Sequence, residues 1–202
     1  MKIGESADPI AHFVFYGVMA CWCLFAATFL LRKRPSAGRE STRDWMAMVG
    51  MLIQAVGYAM IWLPPLRREP LGPLVPMSKA AEFVLAALTL AIALASVWLV
   101  NAAVRALGKQ WAVAARLVEG HKLITEGPYR AVRNPIYAGI LGMMAATGLA
   151  VTQWPALLAA IIVFLAGTYI RVRTEERLLR GRFGGEFDEY TRRVPAVIPG
   201  IW

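Results

Sequence analysis

What most constrains this chain is a series of apolar runs, each long enough to cross a lipid bilayer. Five can be read: Ile10–Leu31, Trp45–Leu66, Ala80–Val100 or a little beyond, Ile136–Gln153 and Trp154–Val172. Crossing a hydrocarbon core of roughly 30 Å takes about 20 helical residues. Charge appears within the runs only near an end, as Glu82 early in the third and Arg171 late in the fifth. Backbone surrounded by lipid must satisfy its own hydrogen bonds, so each run is expected to be a helix. The expected fold is an all-α integral membrane protein with five transmembrane helices. A cytosolic C-terminal extension of short helices follows them, and a small extended arm precedes the fourth. The first run reads as a retained span, because Glu5 and Asp8 precede it and Arg32-Lys33-Arg34 follows it.

A formal net charge of +9 raises the question of a nucleic-acid partner. The distribution of charge answers it. Of the 22 Lys and Arg residues, 18 lie in segments 32–44, 101–134 and 171–202. Only Lys2, Arg67, Arg68 and Lys79 remain for the other side. Cytoplasmic loops carry the excess of Lys and Arg, which places the N-terminus outside and the tail in the cytoplasm. No basic face interleaves aromatic residues for stacking on bases, so no nucleic acid is expected. The surplus suits membrane lipids with anionic head groups. Cys21 and Cys23 share an apolar helix with no companion ligand set, so both read as buried thiols and no metal is expected.

Two regions differ in character. Residues 1–100 hold three helices rich in Trp, Met, Gly and Ala, with Gln54 as the strongly polar mid-span residue. A single amide there reads as an interhelical hydrogen bond. Residues 101–202 hold the polar chemistry. Gln153-Trp154-Pro155 joins the fourth and fifth runs directly, so they form a tight hairpin whose open end faces the cytosol. Ahead of it stands "HKLITEGPYRAVRNP"; after it stands "RVRTEERLLRGRFGGEFDEYTRRVPAVIPGIW". The fifth helix is predicted to continue to about Arg182, break at Phe183-Gly184-Gly185 and resume as a short helix over Glu186–Arg193. Two polar segments are thereby forced together at one membrane surface. Gly127-Pro128 turns the chain, and Pro135 suits the first turn of the fourth helix. A helix start attracts negative charge, which suggests a pocket for a ligand with an anionic part, lined in part by Glu175 and Glu176. Arg173, Glu176 and Arg180 also have the spacing of a surface ion ladder, and that reading stands beside the first.

"HKLITEGPYRAVRNPIYAG" followed by "EERLLRGRFGGEFDEYTRRVPAVIP" resembles the isoprenylcysteine carboxyl methyltransferases and their bacterial relatives, which are related to the phospholipid N-methyltransferases. The resemblance covers about residues 108–202. It implies an integral membrane enzyme, here of a bacterial inner membrane, that uses S-adenosyl-L-methionine enclosed between hairpin and tail. Carried onto matching positions, it assigns cofactor contacts to His121, Leu123, Gly127, Pro128 and Tyr129. It adds Asn134, Pro135, Tyr137, Gly139, Glu175 and Glu176, with either glutamate able to pair with the cofactor's amino group. The family often has His where this chain has Asn134, and Asn cannot act as a base near neutral pH.

The implied reaction is methyl transfer to a lipophilic acceptor entering from the membrane. A carboxylate acceptor is already an anion and needs positioning, desolvation and a cation to hold it. Arg173 and Arg193 are the candidates for that cation, with Arg133 third. An amine acceptor would require a base such as Glu175 or Glu176. The abundance of arginine favours the carboxylate. Methylation of a phospholipid or other lipid amine is the alternative, although that family usually shows Gly-x-Gly where this chain has Gly127-Pro128-Tyr129. A non-catalytic membrane scaffold of the same fold is a third reading, against which the intact GPY turn and Glu175-Glu176 stand.

Overall fold

A computed structural model describes residues 9–31, 45–63, 78–108 and 122–198. Within them the chain is all-α. Its helices are α1 (Pro9–Leu30), α2 (Trp45–Trp62), α3 (Lys79–Leu107), α4 (Pro135–Val151), α5 (Trp154–Phe183) and α6 (Gly185–Arg193), with a 3-10 turn at Gly127–Arg130. Four of these, α1, α2, α3 and α5, are long and apolar enough to cross a membrane. The fourth expected span is a shorter apolar helix of 17 residues, α4. Asn134-Pro135 fixes where it starts. Thr152 closes it by leaving the helical conformation and donating its hydroxyl to the carbonyl of Ile61, 3.0 Å away.

Other boundaries follow from local chemistry. α2 stops at Trp62, short of the expected Leu66, because a residue before Pro64 is pushed out of the helical region. α3 runs past Val100 to Leu107, ending at Gly108 with φ 54°. α5 leaves the apolar run at Val172 and continues to Phe183, where Gly184 takes φ 53° and lets α6 set off in a new direction. Of the expected extended arm, residues 122–125 are described and irregular; residues 109–121, including His121, lie outside the described residues.

α4 sits at the centre, touching α1, α2, α3 and α5. Although α4 and α5 are joined by Thr152 and Gln153 alone, each packs most extensively on another helix: α5 along α2, and α4 along α3. Glycine permits the first of these contacts. A Cβ on Gly167 would lie 2.6 Å from the carbonyl oxygen of Gly50, and one on Gly57 would lie 2.9 Å from that of Ala160. The two backbones therefore meet with no side chain between them, the close approach that small residues allow in membranes. Polar side chains then pin the helices in register. Gln54 Nε2 donates to Thr168 Oγ1 at 2.8 Å, the interhelical bond its position led one to expect. Trp22 donates to Thr147 at 3.0 Å, and the Tyr58 hydroxyl donates to the Ile140 carbonyl at 2.9 Å.

The tail returns to the start of α4. The amides of Arg133 and Asn134 donate to the carbonyls of Pro195 and Ala196 at 2.8 and 2.9 Å. Ala196 and Val197, both 1% exposed, pack against Tyr137 and Val172. The polar segments on either side of the α4–α5 hairpin are thus held together at one end of the bundle.

Candidate active site

The Gly127–Arg130 turn begins with Gly127 at φ 59°, which favours glycine, and Pro128 pre-sets the next position. It presents Tyr129, 7% exposed, to the inside. α6 explains that burial. Phe187 and Tyr190 are three residues apart on its buried side, and the Tyr190 hydroxyl donates to the Tyr129 carbonyl at 2.6 Å. Burial pushes both phenols up, Tyr190 to about 12. Both are neutral donors at any physiological pH.

Arg133 is the junction of the site. Its Nε and Nη2 donate to the same Glu176 oxygen, Oε1, at 2.9 and 2.6 Å. Its Nη1 donates to the carbonyls of Thr191 and Val194. The side chains of Arg133 and Glu176 are 12% and 9% exposed. One guanidinium therefore ties the approach to α4, the last part of α5, the end of α6 and the tail. Asn134 supplements it, donating both its amide and Nδ2 to the Ala196 carbonyl. Neither bond asks for a base, and an asparagine suffices.

Beside this clasp lies a second set of charges. Tyr137 donates its hydroxyl to Glu175 Oε1 at 2.5 Å, and Arg171 Nη2 lies 3.4 Å from the same oxygen. Arg171 stands over the Tyr137 ring, 5.1 Å from its centroid, and Nη1 lies 3.5 Å from Gln54 Oε1. Glu175 is beyond Val172, in the part of α5 that follows the apolar run. Burial pushes its carboxyl up, with Arg171 and the Tyr137 hydroxyl opposing. Its side chain is 24% exposed. Glu176 is spent on Arg133; among the described residues the contacts of Glu175 use Oε1, so Oε2 could meet a ligand.

The remaining expected residues divide cleanly. Leu123 and Pro128 are half-buried at the same end, and Pro135 is buried in the first turn of α4. Gly139 faces α3, where a Cβ would lie 2.4 Å from Val100 Cγ2, so helix packing accounts for it. Arg173 is exposed over the Tyr169 ring, and Arg193 is an exposed partner of Glu189 at 2.7 Å. The ion ladder does not form: Glu176 turns to Arg133, and Arg180 pairs with Asp188 at 2.7 Å. Arg171, Tyr190 and Gln54 had not been assigned to the site from sequence. For Arg171 a signal existed, since it stands four residues before Glu175 at the end of an apolar run.

This donor set suits a nucleoside that carries an ammonium, a carboxylate and a sulfonium. Glu175 can take the ammonium, and neutral aromatic faces and carbonyls suit a sulfonium better than a cation would. The comparison with known proteins points the same way. The family model for phospholipid methyltransferase matches residues 83–186. The chain belongs to this family. Over 89 residues it is 33% identical to protein-S-isoprenylcysteine O-methyltransferase B of Arabidopsis thaliana, covering 44% of this chain and 45% of that protein. Over 103 residues it is 40% identical to the cobalt-zinc-cadmium resistance protein CzcN of Cupriavidus metallidurans, covering 47% and 44%. The protein-S-isoprenylcysteine O-methyltransferase of Schizosaccharomyces pombe is 32% identical over 89 residues, covering 44% and 38%. The chain spans about half the length of the curated relatives it matches. The family is one of membrane methyltransferases that use S-adenosylmethionine, and its matched region contains the hairpin and both glutamates.

Proposed function

We propose that this chain is an S-adenosylmethionine-dependent membrane methyltransferase that methylates a lipophilic carboxylate at the membrane–cytosol interface. The observation that carries this reading is the partly buried row Tyr137–Glu175–Arg171, set at the end of the apolar bundle. When bound, S-adenosylmethionine supplies an electrophilic methyl group on its sulfonium. Glu175 would hold its amino group through Oε2. Tyr129, Tyr137 and the turn at Gly127-Pro128 would enclose the rest. Arg171 would hold the acceptor's carboxylate, so that charges alternate in sign along the row and each has a partner.

Arg171 replaces Arg133, Arg173 and Arg193 as the proposed acceptor cation. Arg133 is committed to Glu176, and the other two lie exposed on other faces. A carboxylate acceptor needs no general base, and in this site it would be desolvated and held in place. One observation favours amine methylation as a second reading. Burial pushes the Glu175 carboxyl up, toward the range where a carboxylate can accept a proton from an ammonium.

α4 would complete a set of five spans, since α1, α2, α3 and α5 already surround it. Its 17 residues reach about 25 Å at 1.5 Å per residue, enough for a slightly thin or locally adjusted bilayer. With the arginine-rich end in the cytoplasm, the N-terminus lies outside. Purified protein in detergent tests the cofactor first: S-adenosylmethionine should bind, and absence of binding would leave a scaffold. A prenylcysteine analogue and phosphatidylethanolamine, offered side by side, test the acceptor. Methylation of the second alone would overturn the carboxylate reading.

A further inference from the structure

The outward face of α5 changes character within a turn. Leu158, Ile162 and Ala166 are exposed, followed on the same stripe by Tyr169, Arg173 and Arg177, also exposed. Steps of three and four residues keep all six on one side of the helix. The guanidinium carbon of Arg173 lies 5.2 Å from the Tyr169 ring centroid, within the range of cation–π attraction. Among the described residues, neither Arg173 nor Arg177 pairs with a carboxylate; the acidic partners in this region belong to Arg133, Arg171, Arg180 and Arg193.

The outward face of α5 matches the thickness of a bilayer core. Trp154, 57% exposed, marks the far end of α5. From there to Arg173 the helix rises about 28 Å, close to the roughly 30 Å of a hydrocarbon core. Acyl chains of one leaflet, about 15 Å deep, would lie along Ala166 and Ile162 and bring a phosphate level with Arg173 and Arg177, with Leu158 in the opposite half of the core. Tyr169 sits at the boundary, where aromatic rings collect.

We propose that Tyr169, Arg173 and Arg177 form a binding stripe for the headgroup of an anionic phospholipid in the leaflet on the site's side. Two guanidinium groups on one phosphate favour an anionic lipid over a zwitterionic one. The apolar residues below select a lipid over a free phosphate. Where the proposed methyl-transfer site is accepted, the stripe also fixes its depth, because Glu175 and Glu176 follow Arg173 on the inward face.

The test uses lipid binding alone, so its outcome is independent of any activity. The full chain is placed in nanodiscs of phosphatidylcholine with phosphatidylglycerol, and association of spin-labelled versions of each lipid is compared. Wild type should prefer the anionic lipid several-fold, on the order of tenfold for two surface cations. Arg173→Gln/Arg177→Gln should abolish the preference, and Arg173→Lys/Arg177→Lys should retain most of it. Arg182→Gln/Arg192→Gln removes the same charge elsewhere and should leave the preference intact, and millimolar glycerol phosphate should not compete. Circular dichroism checks that each variant is folded. Equal association of both lipids with wild type, or equal loss in the two glutamine pairs, would overturn the proposal.

Discussion

Arg133 Nη2 lies 2.6 Å from Glu176 Oε1, across a hairpin that separates the two residues by 43 positions. Both side chains are shielded, so the pair is a junction of the fold and a surface charge only in sequence. Because Glu176 is held there, the adjacent glutamates have different partners, Glu175 meeting Tyr137 and Arg171.

Removing one member strands the other charge in a buried setting, which costs about 3 kcal/mol. Arg133→Gln should lower stability more than Glu176→Gln, since it also gives up the carbonyls of Thr191 and Val194. The double variant should cost less than the two single changes added together. Thermal unfolding in detergent measures all three. Strict additivity would mean that the pair is not coupled.

Glu175 is expected to act on the cofactor directly. Glu175→Gln should weaken S-adenosylmethionine binding by roughly tenfold to a hundredfold, the range for a lost charge-assisted hydrogen bond. Its melting temperature should move less than that of Glu176→Gln. Titration calorimetry beside thermal unfolding separates the two glutamates. The same affinity loss at matched stability in both would remove the division of labour.

Arg171 should govern the acceptor. Arg171→Lys keeps the charge but loses the fork that can meet Glu175 and an acceptor carboxylate together. kcat/KM for a prenylcysteine analogue should fall by about a hundredfold, equivalent to about 2.7 kcal/mol. Affinity for S-adenosylmethionine should change by much less. A drop confined to cofactor binding would instead make Arg171 a support for Glu175 alone.

Apolar length made the long helices legible, and the two glycines at 184–185 foretold the break before α6. The meeting of the two polar segments also followed from the hairpin, since residues on either side of two short antiparallel spans return to one surface. Side-chain allegiance did not. Several arginines near this end have the same chemistry, and only the fold shows that Arg133 turns to Glu176, Arg173 outward to Tyr169, and Arg171 inward to Glu175. Nor did the hairpin announce that its arms pack mainly on other helices. The pairing of α2 with α5 depends on Gly50 meeting Gly167, two residues whose missing side chains leave no pattern to read.

That contact yields a prediction on the bland side of the chain. A side chain at Gly167 meets the Gly50 carbonyl at 2.6 Å and the Gln54 amide at 2.7 Å, both backbone atoms that cannot rotate away. Gly167→Val should therefore cost about 2 kcal/mol or more through overpacking. It should also displace Gln54 from Arg171 and lower acceptor turnover. Gly181→Val, where added atoms meet open space at an exposed position, is the control for helix propensity. Equal unfolding temperatures in the two variants would contradict the close packing.

Tyr190 provides a test by pH. Its hydroxyl must stay protonated to donate to the Tyr129 carbonyl, and burial raises its pKa from the ordinary value near 10 to about 12. Between those values the folded chain binds a proton that the unfolded chain has released. Stability is therefore fully present below pH 10 and falls as pH rises through 12. Tyr190→Phe removes the hydrogen bond, costing about 1 kcal/mol at neutral pH, and should also flatten the alkaline decline. Unfolding midpoints of both proteins, taken at intervals from pH 8 to about 11.5, measure the difference in slope. Parallel curves would place the Tyr190 hydroxyl in contact with water and release the turn at Tyr129 from α6.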